Sequence, residues 1–162
     1  MTLAAPERLA PRHDVRGFAC GVSSLDDWVR SRAYPSQLIG ASRTFVTCEA
    51  DRVVGYYTVS AGSLAVARKP PPASSAQPIP VAVLGRVGLD HRRHRQGIGR
   101  ALVRDAVLRI LEAKHAFPVK GVLAEAISPE SRLFFAALGF EPSCIDDSTL
   151  LASFADLRMA AH

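Results

Sequence analysis

The order of elements along the chain predicts an α/β fold: a mixed, mostly antiparallel central sheet with helices on both faces. Three observations carry it. The apolar runs of the first half lack a helical period and are joined by short turns, the pattern of consecutive strands. Beyond residue 80, apolar runs alternate with stretches whose apolar residues recur every three or four positions. Between the halves stands one strand–turn–helix unit, PVAVLGRVGLDHRRHRQGIGRALVRDAVLRIL from Pro80 to Leu111, around which the rest is organised.

Residues up to about Arg16 are interrupted by prolines and charges and predict a first strand or an arm. Phe18-Ala19-Cys20-Gly21 leads into a helix. Ser23 or Ser24 suits its cap, Asp26 and Asp27 its first turn, and Leu25, Trp28 and Val29 its apolar stripe. Pro35 predicts an end near Ala33. Arg43–Glu49 is a strand, Asp51-Arg52 a tight hairpin, and Val53–Val59 the next strand, with one of Tyr56 and Tyr57 inward and the other outward. Arg68–Pro78 is proline-rich and too short to link two cores, so it predicts a loop between strands. Val81-Ala82-Val83-Leu84 is a buried strand, and Ile98, Leu102, Ala106, Val107, Ile110 and Leu111 mark one face of a helix. Val119–Ile127 is a strand. Ser128 caps a short helix with Pro129 in its first turn and Leu133, Phe134, Ala137 and Leu138 inward; Gly139 ends it. Phe140-Glu141-Pro142 and Thr149–Phe154 complete the sheet.

The 162 residues are 48% hydrophobic and 22% charged, which suits one globular domain spanning 1–162. No apolar run approaches the ~20 residues of a membrane span. Met1–Pro6 has no signal-peptide pattern, so a cytoplasmic protein without membrane association is expected. Cys20, Cys48 and Cys144 are too far apart for a metal spacing, and arginines beside His91 and His94 would repel a cation, so no metal is expected. A net charge of +5 is compatible with a polyanionic partner. Much of that charge falls at Arg86, Arg92, Arg93, Arg95, Arg100, Arg104 and Arg109, in or beside the glycine turn.

A strand, a glycine turn and a helix form a natural anion site, because the first helical amides lack internal partners. Gly99 is followed by Arg100-Ala101, which excludes a nucleoside-triphosphate loop, and Leu102 stands where a dinucleotide fingerprint needs its third glycine. What remains, His94-Arg95-Gln96-Gly97-Ile98-Gly99, resembles the acetyl-coenzyme A loop of the GNAT superfamily of N-acetyltransferases, with His94 a departure at the first position. The resemblance extends over nearly the whole chain. Phe18-x-Cys20-Gly21, Leu25-Asp26-x-Trp28, Gly40-Ala41-Ser42-Arg43-Thr44, Val54-Gly55-Tyr56-Tyr57 and Leu84-Gly85-Arg86 are similar to the GNAT toxins of bacterial type II toxin–antitoxin modules.

That resemblance implies a GNAT fold and acetyl transfer from acetyl-coenzyme A to the α-amino group of aminoacyl-tRNA, which blocks translation. It further implies a homodimer, and an antitoxin with a ribbon–helix–helix DNA-binding region through which operator DNA is bound. Val87, Gly88 and Leu89 would present backbone to the pantetheine arm. Arg95, Gln96, Gly97, Ile98, Gly99 and Arg100 would hold the pyrophosphate, with Ser128 also on the cofactor side. Arg86, Arg92 and Arg93 would serve the tRNA. The family places a Tyr as general acid in Phe-Tyr-x-x-x-Gly-Phe, and here Phe134-Phe135 stands before Ala136-Ala137-Leu138-Gly139-Phe140. Phe135 has no proton to give. An engineered Tyr-to-Phe change, a homologue that only binds, or protonation by another group would each account for it; the first is preferred because the rest of the site is intact. The rival functions are a non-catalytic module binding coenzyme A, antitoxin or RNA, and acetylation of small amines or protein N-termini.

Overall fold

A computed structural model describes residues 3–64, 79–113, 119–143 and 148–153. In chain order these form β1 (Glu7–Arg8), α1 (Ser23–Asp27), a π-turn (Trp28–Arg32), α2 (Ala33–Leu38), β2 (Arg43–Glu49), β3 (Arg52–Leu64), β4 (Ile79–Leu89), a 3-10 turn (His91–Arg93), α3 (Ile98–Ala113), β5 (Gly121–Glu125), α4 (Pro129–Ala137), β6 (Glu141–Pro142) and β7 (Thr149–Ser153). The strands make one mixed seven-stranded sheet in the order β1-β2-β3-β4-β5-β7-β6. By internal contacts the chain falls into two units, Met1–Ser60 with Leu84–Leu108, and Ala61–Val83 with Arg109–His162. The divisions fall inside β3, β4 and α3, so no linker separates the units.

In the first unit β1, β2 and β3 are antiparallel neighbours, pairing Glu7 with Val46 and Phe45 with Tyr57. Leu9, Phe18, Leu25, Val29, Val46 and Tyr56 form its apolar cluster, with Phe18 and Tyr56 edge to face at 5.4 Å. The expectation that only one of Tyr56 and Tyr57 turns inward fails: both are fully buried. Alternation does send them to opposite faces, but the strand is covered on both. Tyr56 donates to the Leu25 carbonyl at 2.7 Å, and Tyr57 stacks on Phe45 and donates to Asp105 of α3.

The first helix differs from expectation at both ends. Its cap is Val22, without a side-chain bond, and the helical path runs through Pro35 to Leu38. A wide turn makes this possible. The Ala33 amide reaches back to the Trp28 carbonyl, so a fresh α-helical turn begins at Ala33 and Pro35 lies within it. A proline is tolerated in a first turn because its missing N–H has no partner to lose.

In α3, Leu102, Val103, Ala106, Val107 and Ile110 are buried, the predicted face with Val103 added. In the second unit β7 is antiparallel to β5 and to β6, pairing Leu151 with Leu123 and Glu141. Gly121 is required there, since a Cβ would stand 2.7 Å from the Ala152 carbonyl oxygen. Ser128 caps α4 as expected, but the inward residue is Phe135; Leu133 is 72% exposed and Ala137 is exposed. The Arg68–Pro78 loop, Cys144 and Phe154 lie outside the described residues.

Candidate functional site

The turn between β4 and α3 is anchored at both ends before any ligand is considered. Asp90, 2% exposed, gives its amide to the Val54 carbonyl at 2.8 Å and caps the 3-10 turn by accepting from the Arg92 amide at 3.0 Å. His91 gives its amide (2.9 Å) and its ring Nδ1–H (2.8 Å) to the Ala19 carbonyl. The His94 ring closes on the Leu89 carbonyl through Nε2 at 2.7 Å. Both histidines therefore serve as staples, which gives His94 a local reason to differ from the family's first position.

Past His94 the backbone does what an anion loop needs. Arg95 (φ 64°) and Gly97 (φ 78°) are left-handed, and Gln96 between them is not. Such alternation turns successive amides to one side and makes a concave cradle for an anion. Helix α3 begins at once, with the Ala101 amide bonded to the Gly97 carbonyl at 3.1 Å, so the amides just before it carry the positive end of the helix. Arg95, Gln96, Gly97 and Arg100 are exposed around this cradle. The donor set fits a pyrophosphate. A groove of about 410 Å³ opens alongside, with Gln96, Gly97, Ile98 and Ala101 on one wall and Leu3 and Pro6 on the other.

The three arginines expected on the tRNA side differ in their surroundings. Arg92 grips buried Asp90 through Nε at 3.0 Å yet keeps 54% of its side chain exposed. Burial alone would raise the Asp90 carboxyl, but hydrogen bonds from the Arg92 guanidinium and amide outweigh it and hold it below the usual carboxylate range. Arg93 pairs with buried Glu49, which also holds Arg52 at 2.7 Å. Arg86, half-buried on β4, lies over the Trp28 ring 3.6 Å from its centroid. Neither the Trp28 stack nor the capping role of Asp90 was foreseen. The first joins residues too distant for any local pattern; the second had a signal, an Asp at the head of a basic turn.

On the last turn of β4, Gly88 is buried with Val87 and Leu89 half-buried beside it. A Cβ at Gly88 would meet Tyr56 at 2.7 Å and Phe18 at 3.3 Å, so packing demands glycine there. In the second unit the Ser128 hydroxyl accepts from the Ser131 amide at 3.1 Å, completing a capping box. Phe135 is 3% exposed, edge to face with Phe134 at 5.3 Å and Phe140 at 5.6 Å. Tyr56 and Tyr57 are no substitutes as proton donors, since both hydroxyls are buried and bonded, and burial pushes that of Tyr56 upward. Burial likewise pushes the Cys20 and Cys48 thiols up to about 11. Among the described residues no group of His, Cys, Asp and Glu could hold a metal, and no helix is long and apolar enough to cross a membrane.

No family model matches the chain. It is 36% identical over 157 residues, 96% of its length and 95% of the relative's, to a tRNA-acetylating toxin of Mycobacterium tuberculosis. Its fold superimposes on the toxin AtaT complexed with acetyl-methionyl-tRNAfMet with a TM-score of 0.86 at 23% identity, covering 98% of both chains. A Tyr-to-Phe mutant of AtaT, bound to the C-terminus of the antitoxin AtaR and to acetyl-CoA, gives a TM-score of 0.84 at 24% identity over 97% of this chain and 96% of that one.

Proposed function

Since this chain belongs to the family of tRNA-acetylating toxins, GNAT-superfamily acetyltransferases of bacterial toxin–antitoxin modules, we propose that it acetylates the α-amino group of an aminoacyl-tRNA and thereby blocks translation. The carrying observation is the anion cradle: left-handed Arg95 and Gly97, free helix amides and exposed Arg95 and Arg100 fit the pyrophosphate of acetyl-coenzyme A. The whole 162 residues act as one catalytic domain in this reading.

In the reaction a neutral amine attacks the thioester carbonyl. A C–N bond forms, the carbonyl electrons move to oxygen, and backbone donors at Val87, Gly88 and Leu89 stabilise that charge. Collapse breaks the C–S bond and the thiolate takes a proton. Gln96, Ile98 and Gly99 contribute through backbone to the pyrophosphate, whereas Ser128 acts by setting helix α4, because its hydroxyl is committed to the cap. Phe135 cannot supply the proton. A thiol of pKa about 8.5 still leaves unaided, so turnover is slow and not absent. That a similar structure is a Tyr-to-Phe mutant of AtaT supports reading Phe135 as this same exchange. On the acceptor side Arg86 and Arg92 face the tRNA, with Arg93 behind them.

The partners follow from the family: a homodimer, and an antitoxin whose C-terminal segment holds the toxin and whose ribbon–helix–helix region binds operator DNA, all in the cytoplasm. Mass spectrometry of aminoacyl-tRNA incubated with the protein and acetyl-coenzyme A tests the reading, and a mass increase of one acetyl group on the aminoacyl moiety is expected. Acetylation of free amino acids at equal rate would favour a small-amine enzyme. Phe135 also favours one second reading, a module that binds coenzyme A and antitoxin without turnover. Single-turnover assays with no acetyl product after long incubation, beside normal coenzyme A binding, would establish it.

A further inference from the structure

The cations of the first unit are mostly answered from within the protein. Arg12 meets Glu7 and Asp51, Arg16 meets Asp14, Arg30 donates to the Phe18 carbonyl, Arg92 holds Asp90 and Arg93 holds Glu49. Arg86 is different. Half-buried on β4, its guanidinium makes no hydrogen bond or ion pair among the described residues, and its one recorded contact is the face of Trp28 at 3.6 Å.

Trp28 is itself fixed. Its Nε1–H donates to the Thr58 hydroxyl at 3.2 Å. That hydroxyl lies 3.3 Å from the hydroxyl of Thr44, both threonines being buried. Helix placement does the rest, since Trp28 opens the π-turn and Val29 beside it is buried in the apolar cluster. A flat ring held at one edge by a buried donor and carrying a stacked guanidinium restricts the rotamers of the long arginine side chain. The stack also leaves the guanidinium's N–H edge uncommitted, and such an edge matches a phosphate in two-point geometry.

We propose that Trp28 is a positioning residue for aminoacyl-tRNA: it holds Arg86 over its ring so that the guanidinium takes a phosphate of the acceptor end. The proposal rests on the function argued above, and names the residue that prepares the tRNA side of that site. Trp28 touches neither the reacting atoms nor the cofactor cradle. Its contribution is confined to acceptor affinity.

The test measures binding of an amide-linked, non-hydrolysable aminoacyl-tRNA to the full-length protein, beside coenzyme A binding by calorimetry. The variants are Arg86→Ala, Trp28→Leu, Trp28→Phe and the Arg86→Ala/Trp28→Leu double. Arg86→Ala is expected to weaken tRNA binding about tenfold, the scale of one lost charge-assisted hydrogen bond. Trp28→Leu should cause much of the same loss, and the double variant should be no worse than Arg86→Ala. Trp28→Phe, which keeps a ring but not its N–H, should recover part of the affinity, and coenzyme A binding should be unchanged in all four. Losses that simply add in the double variant would overturn the positioning role. So would equal coenzyme A losses, which would mark Trp28 as structural only. Normal tRNA binding by Arg86→Ala would overturn the proposal while leaving the acetyltransferase reading intact. Failure of the unmodified protein to bind aminoacyl-tRNA would instead sink that reading, and the proposal with it.

Discussion

Phe135 is one oxygen short of tyrosine, and its ring sits between Phe134 and Phe140 in a nearly closed setting. Phe135→Tyr is expected to raise the single-turnover rate by about 10²–10⁴-fold, the usual contribution of a positioned proton donor, with coenzyme A affinity unchanged. A lowered melting temperature without a rate gain would mean that the new hydroxyl is buried without a partner. Asp90 allows a test by pH. Its carboxyl is held below the ordinary value, so its stabilisation is complete above about 3.9, the value for an unfolded chain, and is lost as pH falls through the lower folded value. Asp90→Asn should therefore lower stability near neutrality and flatten its decline on acidification. Urea titrations from about pH 6 to about pH 2.5 would read both effects. Motif reasoning reached Phe135 from sequence, because a six-residue spacing survives the loss of one hydroxyl. It did not reach Trp28 as Arg86's support.

Elements were readable where a pattern was local. The β2–β3 hairpin, β4, α3 and the Ser128 cap all follow from apolar period, turn residues and capping chemistry. Proline misled at Pro35, because a rule written for a regular helix does not anticipate a π-turn that restarts the helix one residue later. Burial on α4 was also misassigned. Its period was right, but which side faces the protein is set by neighbours the helix does not itself encode; the side holding Phe135 won, and Leu133 was left exposed. The cap itself offers a clean test. Ser128→Ala should cost about 1 kcal/mol by urea unfolding, whereas Ser128→Asp should retain most of it, since a carboxylate can accept the same Ser131 amide.

For the whole molecule the question is how a basic protein spends its charge. Aminoacyl-tRNA binding should weaken linearly in log salt, and each arginine that meets a phosphate should add about one to the slope. Arg92, more than half exposed beside Asp90, is expected to contribute in this way, so Arg92→Ala should flatten the slope. Arg93→Ala should instead reduce stability with little change in slope, because it leaves the buried Glu49 carboxylate to Arg52 alone. Filter binding over a salt series, beside thermal melts, separates the two. The anchoring of the cofactor turn has a consequence for how the protein comes into being. The turn is tied back to Ala19, Val54 and Leu89, all of which precede it in the chain. Ribosomal synthesis therefore delivers every anchor before the turn emerges. The cradle can close while α4, with Phe135, is still unmade, so cofactor capture is the earlier acquisition of the growing chain and rapid proton delivery the later one.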